Sequence, residues 1–230
     1  LLILFDMTII YPKKSEFLHN TKKQNNQLLW TTLKSDLDTP VSTYLKLCNK
    51  KTNSFLLESV QDGTYRGRYS IVGFNPDVIW KCKNGIAYKK FIKKNTGKFI
   101  KEKHKPLISL QDLINSSKIK LPTHLPPMSA GLIGYLGYET IEQYEKLPPR
   151  KKNSINVPDG FFIRPKTLAI FDDIKNEITL VNPYWYRNKK NYKKDYLLIS
   201  NNLKKLINLI NAPLKYKYKK PFNKFVKPKS

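Results

Sequence analysis

The run in this 230-residue chain that most invites chemistry is Leu56-Leu57-Glu58-Ser59, which sets a carboxylate and a hydroxyl side by side at the end of an apolar stretch. A carboxylate accepts hydrogen bonds from an ammonium group, and a hydroxyl can serve either end of an amino acid. Neighbouring side chains of a regular strand point to opposite faces. Glu58 and Ser59 therefore diverge unless a bulge, or the end of the strand, lets both approach one ligand. The plainer reading is an edge strand that ends in polar residues.

Other candidates are weaker. Gly131-Leu132-Ile133-Gly134 has the glycines of a phosphate loop, but such a loop leaves a strand and enters a helix N-terminus with glycines at set offsets. Close packing of a strand on another backbone suits these glycines better. Asp172-Asp173 could form a metal pair, yet acids in the turn between two strands explain it more simply. P-loop, dinucleotide-fingerprint, His-Glu-x-x-His and nucleophile-elbow patterns are absent. His19, His104 and His124 are scattered beside Lys or Pro and read as surface or loop residues. Cys48 and Cys82 have no paired spacing, so neither a disulfide framework nor a zinc site is expected, and a reducing cytoplasm fits. No catalytic residue and no metal ligand is assigned in this chain.

The formal charge is +26, from 43 basic and 17 acidic residues. A basic chain raises the question of nucleic acid or an anionic surface. Only Arg66, Arg68, Arg150, Arg164 and Arg187 are arginines, and base-reading proteins favour the arginine fork over the lysine point charge. Abundant Lys beside abundant Asn and Ile matches AT-rich coding, with the lysines on solvated faces. No nucleic-acid partner is expected. No apolar run approaches the roughly 20 residues needed to span a bilayer, so no membrane span is expected.

Elements must hold the Leu56-Leu57-Glu58-Ser59 run in place. Residues 8–37 are polar and poorly periodic, apart from a strand near 28–33. Thr39 is a good N-cap and Pro40 a good first helical residue, and the spacing of Val41, Tyr44, Leu45 and Cys48 predicts a helix over 40–48. Strands are expected over 54–60, 68–73, 78–83 and 86–92, the last two joined at Asn84-Gly85. Ser109-Leu110-Gln111-Asp112 opens a short helix through Ile114, and residues 121–127 form a Pro-rich loop. A strand over 131–138 precedes a helix over 139–145 that stops at Pro148 and Pro149. Strands follow at 161–163, 168–172 and 177–181. The apolar stripe Tyr192, Tyr196, Ile199, Leu203, Leu206, Ile207 and Ile210 marks the longest helix. Strands that come in hairpins without β-α-β alternation predict an α+β fold, mainly antiparallel sheet with flanking helices. The expected organisation is an amino-terminal segment over 1–37 with Met7 a candidate start, a domain over 38–212, and a Lys-rich linker over 213–230.

Leu56-Leu57-Glu58-Ser59 followed by Arg66-Gly67-Arg68-Tyr69-Ser70-Ile71-Val72-Gly73 resembles the signature of anthranilate synthase component I. Three further segments resemble that family in the same order, over roughly residues 8–185. They are Asp38-Thr39-Pro40-Val41-Ser42-Thr43-Tyr44-Leu45-Lys46-Leu47; Gly131-Leu132-Ile133-Gly134-Tyr135-Leu136-Gly137-Tyr138 with Glu139 and the Leu147-Pro148 stop; and Phe171-Asp172-Asp173. The resemblance implies an enzyme, a lyase that aminates chorismate with ammonia and eliminates pyruvate to give anthranilate for tryptophan biosynthesis. It implies a glutamine amidotransferase subunit, component II, as the ammonia source. Chorismate and Mg2+ would sit in a catalytic domain beyond Ser230, so this chain alone is expected to be inactive. What the resemblance gives this portion is feedback regulation by L-tryptophan, with Glu58 and Ser59 contacting the inhibitor, Leu57 walling it, and residues 38–47 nearby. Arg66, Arg68 and Tyr69 are assigned to structure first. The related aminodeoxychorismate synthase component I has a similar amino-terminal half, where bound tryptophan can be structural. The Leu-Leu-Glu-Ser and Arg-Gly-Arg-Tyr-Ser pair favours anthranilate synthase.

Overall fold

The computed structural model describes residues 9–48, 51–61, 65–92, 97–143, 145, 156–186 and 192–214. In chain order the elements are α1 (Lys14–Lys22), β1 (Gln27–Lys34), α2 (Pro40–Cys48), β2 (Phe55–Gln61), β3 (Tyr65–Lys83), β4 (Ile86–Phe91), β5 (Ile100–Lys101), α3 (Pro106–Ser116), β6 (Ile133–Leu136), a 3-10 helix (Tyr138–Gln143), β7 (Gly160–Asp172), β8 (Glu177–Tyr184) and α4 (Tyr192–Asn211). The described strands pair antiparallel in one eight-stranded sheet, and the fold is α+β as expected.

Local chemistry accounts for the elements read correctly. The Thr39 hydroxyl accepts the Ser42 N–H at 3.1 Å, capping α2 with Pro40 in its first turn. Asn84 and Gly85 take φ of 51° and 70°, the left-handed pair that a two-residue hairpin needs between β3 and β4. Gly134 lets β6 lie close on β7. A Cβ there would stand 1.9 Å from the Phe161 carbonyl oxygen, so close strand packing holds at Gly134, whereas a Cβ at Gly131 would meet nothing within 4 Å.

Two expected breaks are absent. Residues 68–73 and 78–83 belong to one 19-residue strand, β3, and 161–163 and 168–172 to one 13-residue strand, β7. Asn75-Pro76-Asp77 and Arg164-Pro165 have the composition of turns. Pro76 instead stands opposite Pro165 at a register shift between Pro76 and Val78, with Asp77 the extra residue. Proline lacks an N–H and is tolerated inside a sheet at a bulge. β3 pairs β2 with its first half and β4 with its second, while β7 pairs β6 with its first half and β8 with its second. Two half-sheets thus share the β3–β7 ribbon and meet at its bulge.

That bulge is held by a buried ion pair. The Arg164 guanidinium donates to both Asp77 carboxylate oxygens, at 2.8 and 2.9 Å, and to the Ser117 hydroxyl at 2.9 Å. It also lies 4.1 Å over the Trp185 ring. Both side chains are nearly inaccessible, at 6% and 4%.

Helices α1, α2 and α4 cover one face of the sheet, burying Phe17, Leu47, Val72, Phe74, Phe171, Leu180 and Leu203. The Pro-rich loop covers the other face through Leu121 and Leu125 over Ile71, Leu168 and Ile170. α3 packs on Trp80 and Val78. α1 departs from the expectation for residues 8–37. Among its residues only Phe17 and Thr21 are buried, too sparse a stripe to show periodicity in a lysine-rich stretch. α3 starts at Pro106 rather than Ser109. Ser109 resembles an N-cap by type, but its hydroxyl accepts the Trp80 indole N–H at 3.1 Å and donates to Glu102 at 3.0 Å. The helix expected over 139–145 is the 3-10 helix Tyr138–Gln143. The Leu147-Pro148 stop, Met7 and residues 215–230 of the Lys-rich tail lie outside the described residues.

Replacing Arg164 with Met removes the guanidinium that both oxygens of the buried Asp77 carboxylate accept from. We expect a loss of about 3–5 kcal/mol in urea unfolding. The pair replacement Asp77→Leu with Arg164→Met should recover most of that loss. Equal destabilisation by the single and double variants would contradict the role given to the ion pair.

Candidate functional site

β2 is bonded to β3 alone among the described strands, so its other edge is open. Pairing is regular from Phe55 opposite Gly73 to Glu58 opposite Ser70, and resumes with Val60 opposite Arg66. One residue of β2, Ser59, therefore faces three of β3: Gly67, Arg68 and Tyr69. Leu56 packs into the helix-side core and Phe55 onto the other face, but Leu57, Glu58 and Ser59 are all exposed, Leu57 by 47%. The bulge that the sequence required for Glu58 and Ser59 to share a ligand is thus present, and the three sequence-predicted residues lie together at an open edge. They do not line the cavity of about 390 Å³ between β8 and α4, whose walls include Asn75, Asn182, Trp185 and Asn202.

Neighbouring elements fix this edge. α2, from the segment expected nearby, is joined to the approach of β2 by a 3.1 Å hydrogen bond between the Tyr44 and Ser54 hydroxyls. Lys46 of α2 pairs with Asp38 at 2.7 Å and donates to the Ile210 carbonyl at the end of α4. Opposite Ser59, Arg68 reaches the last residue of β7. Its guanidinium donates to Asp172 from Nε at 3.1 and 3.3 Å and from Nη2 at 2.9 Å, and it lies 4.9 Å from the centre of the Tyr69 ring. Asp172 also accepts the backbone N–H groups of Ile174 and Lys175, closing the β7–β8 turn. Arg68, Tyr69 and Asp172 are therefore structural, and the acids of the 172–173 run are turn acids. The Arg66 side chain lies outside the described residues.

Curated proteins named anthranilate synthase component 1 match the chain. That of Cereibacter sphaeroides is 41% identical over 170 residues, covering 74% of this chain and 34% of its own length. That of Thermus thermophilus is 37% identical over 152 residues, covering 66% and 31%. The crystal structure of anthranilate synthase component I from Streptococcus pneumoniae TIGR4 superposes with a TM-score of 0.52 at 25% identity, over 79% of this chain and 37% of that one. This chain belongs to the anthranilate synthase component I family. It spans about a third of the length of the curated relatives it matches. A scan against protein-family models returned no match.

Within this member of the anthranilate synthase component I family, the remaining reactive residue types are held in structural roles. Burial raises the Cys48 thiol to about 11, although Lys51 and Ser54 act the other way, so it is protonated at neutral pH and a poor nucleophile. Burial also lowers the Lys51 amine, which sits 4.1 Å over the Phe74 ring. His104 contacts Asp112 at 2.8 Å on the surface, and His124 packs against Trp30. Among the described residues no three His, Cys, Asp or Glu side chains cluster closely enough to hold a metal ion. Two features escaped sequence reasoning: the contact of Gly67 with Ser59 and the Arg68–Asp172 fork. Arg, Gly and Asp stood out as residue types, but their partners are 8 and 104 positions away and only strand register pairs them.

Burial raises the Asp172 carboxyl, but the Arg68 fork and the two backbone N–H groups outweigh it and hold the group below the ordinary carboxylate range. A depressed folded pKa adds stability above the unfolded value, near 3.9, and that gain is lost as pH falls through the lower folded value. The melting-temperature gap between the native protein and Asp172→Asn should be full above about pH 5 and shrink steadily below about pH 4. A gap independent of pH from 2 to 6 would contradict ionisation of Asp172 as its source.

Proposed function

We propose that this chain forms the tryptophan-sensing part of an anthranilate synthase component I. The full-length protein would convert chorismate and ammonia to anthranilate and pyruvate, a lyase reaction of tryptophan biosynthesis. One observation supports the sensor reading: Leu57, Glu58 and Ser59 are all exposed on β2, whose pairing with β3 becomes irregular at Ser59. Glu58 offers a carboxylate to the ammonium of an amino acid, Ser59 a hydroxyl to either polar end, and Leu57 an apolar wall to an aromatic side chain. Chemical sense and position agree, since a ligand at an open sheet edge can bridge to a neighbouring domain. Such a ligand shifts the arrangement of the two only by its differential affinity for each.

The chorismate chemistry belongs, on this reading, to the two thirds of the relatives' length outside the match. Mg2+ has no fitting donor cluster among the described residues, so no step in this chain is routed through it. Component II, a glutamine amidotransferase, would supply the ammonia. A cytoplasmic setting suits the two buried cysteines, Cys48 and Cys82, neither of which is in a disulfide. No described helix is long and apolar enough to cross a membrane.

Full-length enzyme with component II, chorismate and glutamine should yield anthranilate; aminodeoxychorismate as the product would overturn the reaction assignment. Titration of initial rates with L-tryptophan tests the sensor. A charge-assisted hydrogen bond of about 1.5–3 kcal/mol predicts that Glu58→Ala raises the half-inhibitory concentration about ten- to hundredfold. Ser59→Ala should raise it about three- to tenfold, as for a neutral hydrogen bond of about 1 kcal/mol. Unchanged inhibition in both variants would remove Glu58 and Ser59 from the site.

A further inference from the structure

Ser59 gains its place from what β3 lacks. Gly67 is buried directly against it, and a Cβ built at Gly67 would stand 2.0 Å from Ser59 Oγ and 2.4 Å from Ser59 Cβ. No side chain fits there without moving Ser59, because the clash includes Cβ and not only the tip of a flexible chain. The Ser59 side chain thus lies across the β3 backbone at the point where one residue faces three.

The other side of the same three residues is tied to β7. The Arg68 carbonyl accepts the Asp173 N–H at 3.0 Å, and its guanidinium forks onto Asp172, which is 5% exposed. Main chain and side chain of Arg68 are therefore both fastened to the β7–β8 turn. The extra length of β3 cannot slide back into register without breaking the fork.

We propose that Gly67 and the Arg68–Asp172 pair are positioning residues for the Glu58 and Ser59 sensor: Gly67 seats the Ser59 hydroxyl, and the ion pair holds the irregular register that brings it beside Glu58. This rests on the sensor reading proposed above. Neither Gly67 nor Arg68 touches the ligand. They act through Ser59 and through the register, so their effects must depend on Ser59 being present.

A double-mutant cycle in the full-length enzyme, read as the half-inhibitory concentration of L-tryptophan, tests this dependence. Gly67→Ala should raise that concentration about as much as Ser59→Ala does. In a Ser59→Gly background, which clears the clash with Ser59 Cβ, Gly67→Ala should add less than twofold. Arg68→Ala should weaken inhibition as well, and the exchanged pair Arg68→Asp with Asp172→Arg should recover part of it. Loss of inhibition in Ser59→Ala together with full inhibition in Gly67→Ala, or multiplying effects in the double variant, would overturn the proposal and leave the sensor reading intact. Unchanged inhibition in Ser59→Ala and Glu58→Ala would instead remove the sensor reading itself. Should Gly67→Ala fail to fold, addition of Ser59→Gly should restore folding by clearing the clash; no restoration overturns the seat.

Discussion

The buried Asp77–Arg164 fork sets the shape of this molecule. It lies where two long strands exchange partners, at the bulge where Pro76 faces Pro165. A charge pair so removed from water has a large desolvation cost, offset only when geometry is good and the remaining hydrogen-bonding groups are filled. Here each guanidinium nitrogen donates, to the two carboxylate oxygens and to Ser117 just past α3, and the group lies over the ring of Trp185 just past β8. One group therefore joins β3, β7, the end of α3 and the segment that leads toward α4. The two half-sheets can bend at the bulge because this pair fills the space that a regular ladder would have closed.

A second fork, with the charges exchanged between strands, stands at one end of the same ribbon. Arg68 is on β3 and Asp172 on β7, whereas Asp77 is on β3 and Arg164 on β7. Pairing between the two forks is regular, from Tyr69 opposite Asp172 to Phe74 opposite Thr167. β2 is laid on this bracketed stretch and matches it as far as Glu58. Beyond that the extra length of β3 has to be absorbed, and it is absorbed opposite Ser59. The irregularity at Ser59 thus falls beside a stretch of β3 whose register with β7 is regular.

Elements governed by local chemistry were legible in the sequence. Thr39-Pro40 starts α2, Asn84-Gly85 turns the hairpin, and the stripe from Tyr196 to Ile210 lays α4 on the core. Elements governed by distant partners were not. Asn75-Pro76-Asp77 and Arg164-Pro165 look like turns until each is set opposite the other, and then they form a continuous ribbon. Ser109 looks like a cap until Trp80 claims its hydroxyl. α1 hides because one aromatic residue, Phe17, against Tyr184 and Tyr196, is the main apolar anchor of a nine-residue helix. The site divides in the same way. Glu58 and Ser59 stood out by type and neighbourhood, and the need for a bulge could be stated from alternation alone. Gly67 and Asp172, which shape that bulge, carried no local sign of it.

The family relation and the edge geometry support one proposal: that the Leu57, Glu58 and Ser59 edge receives an aromatic amino acid. A crystal structure of the full-length enzyme grown with L-tryptophan measures this directly. The ligand ammonium is expected within hydrogen-bond distance of the Glu58 carboxylate, about 2.7–3.2 Å, with the Ser59 hydroxyl on a polar end of the ligand and Leu57 against the indole. Ordered tryptophan bound elsewhere, with the edge from Leu57 to Ser59 bare, would contradict it.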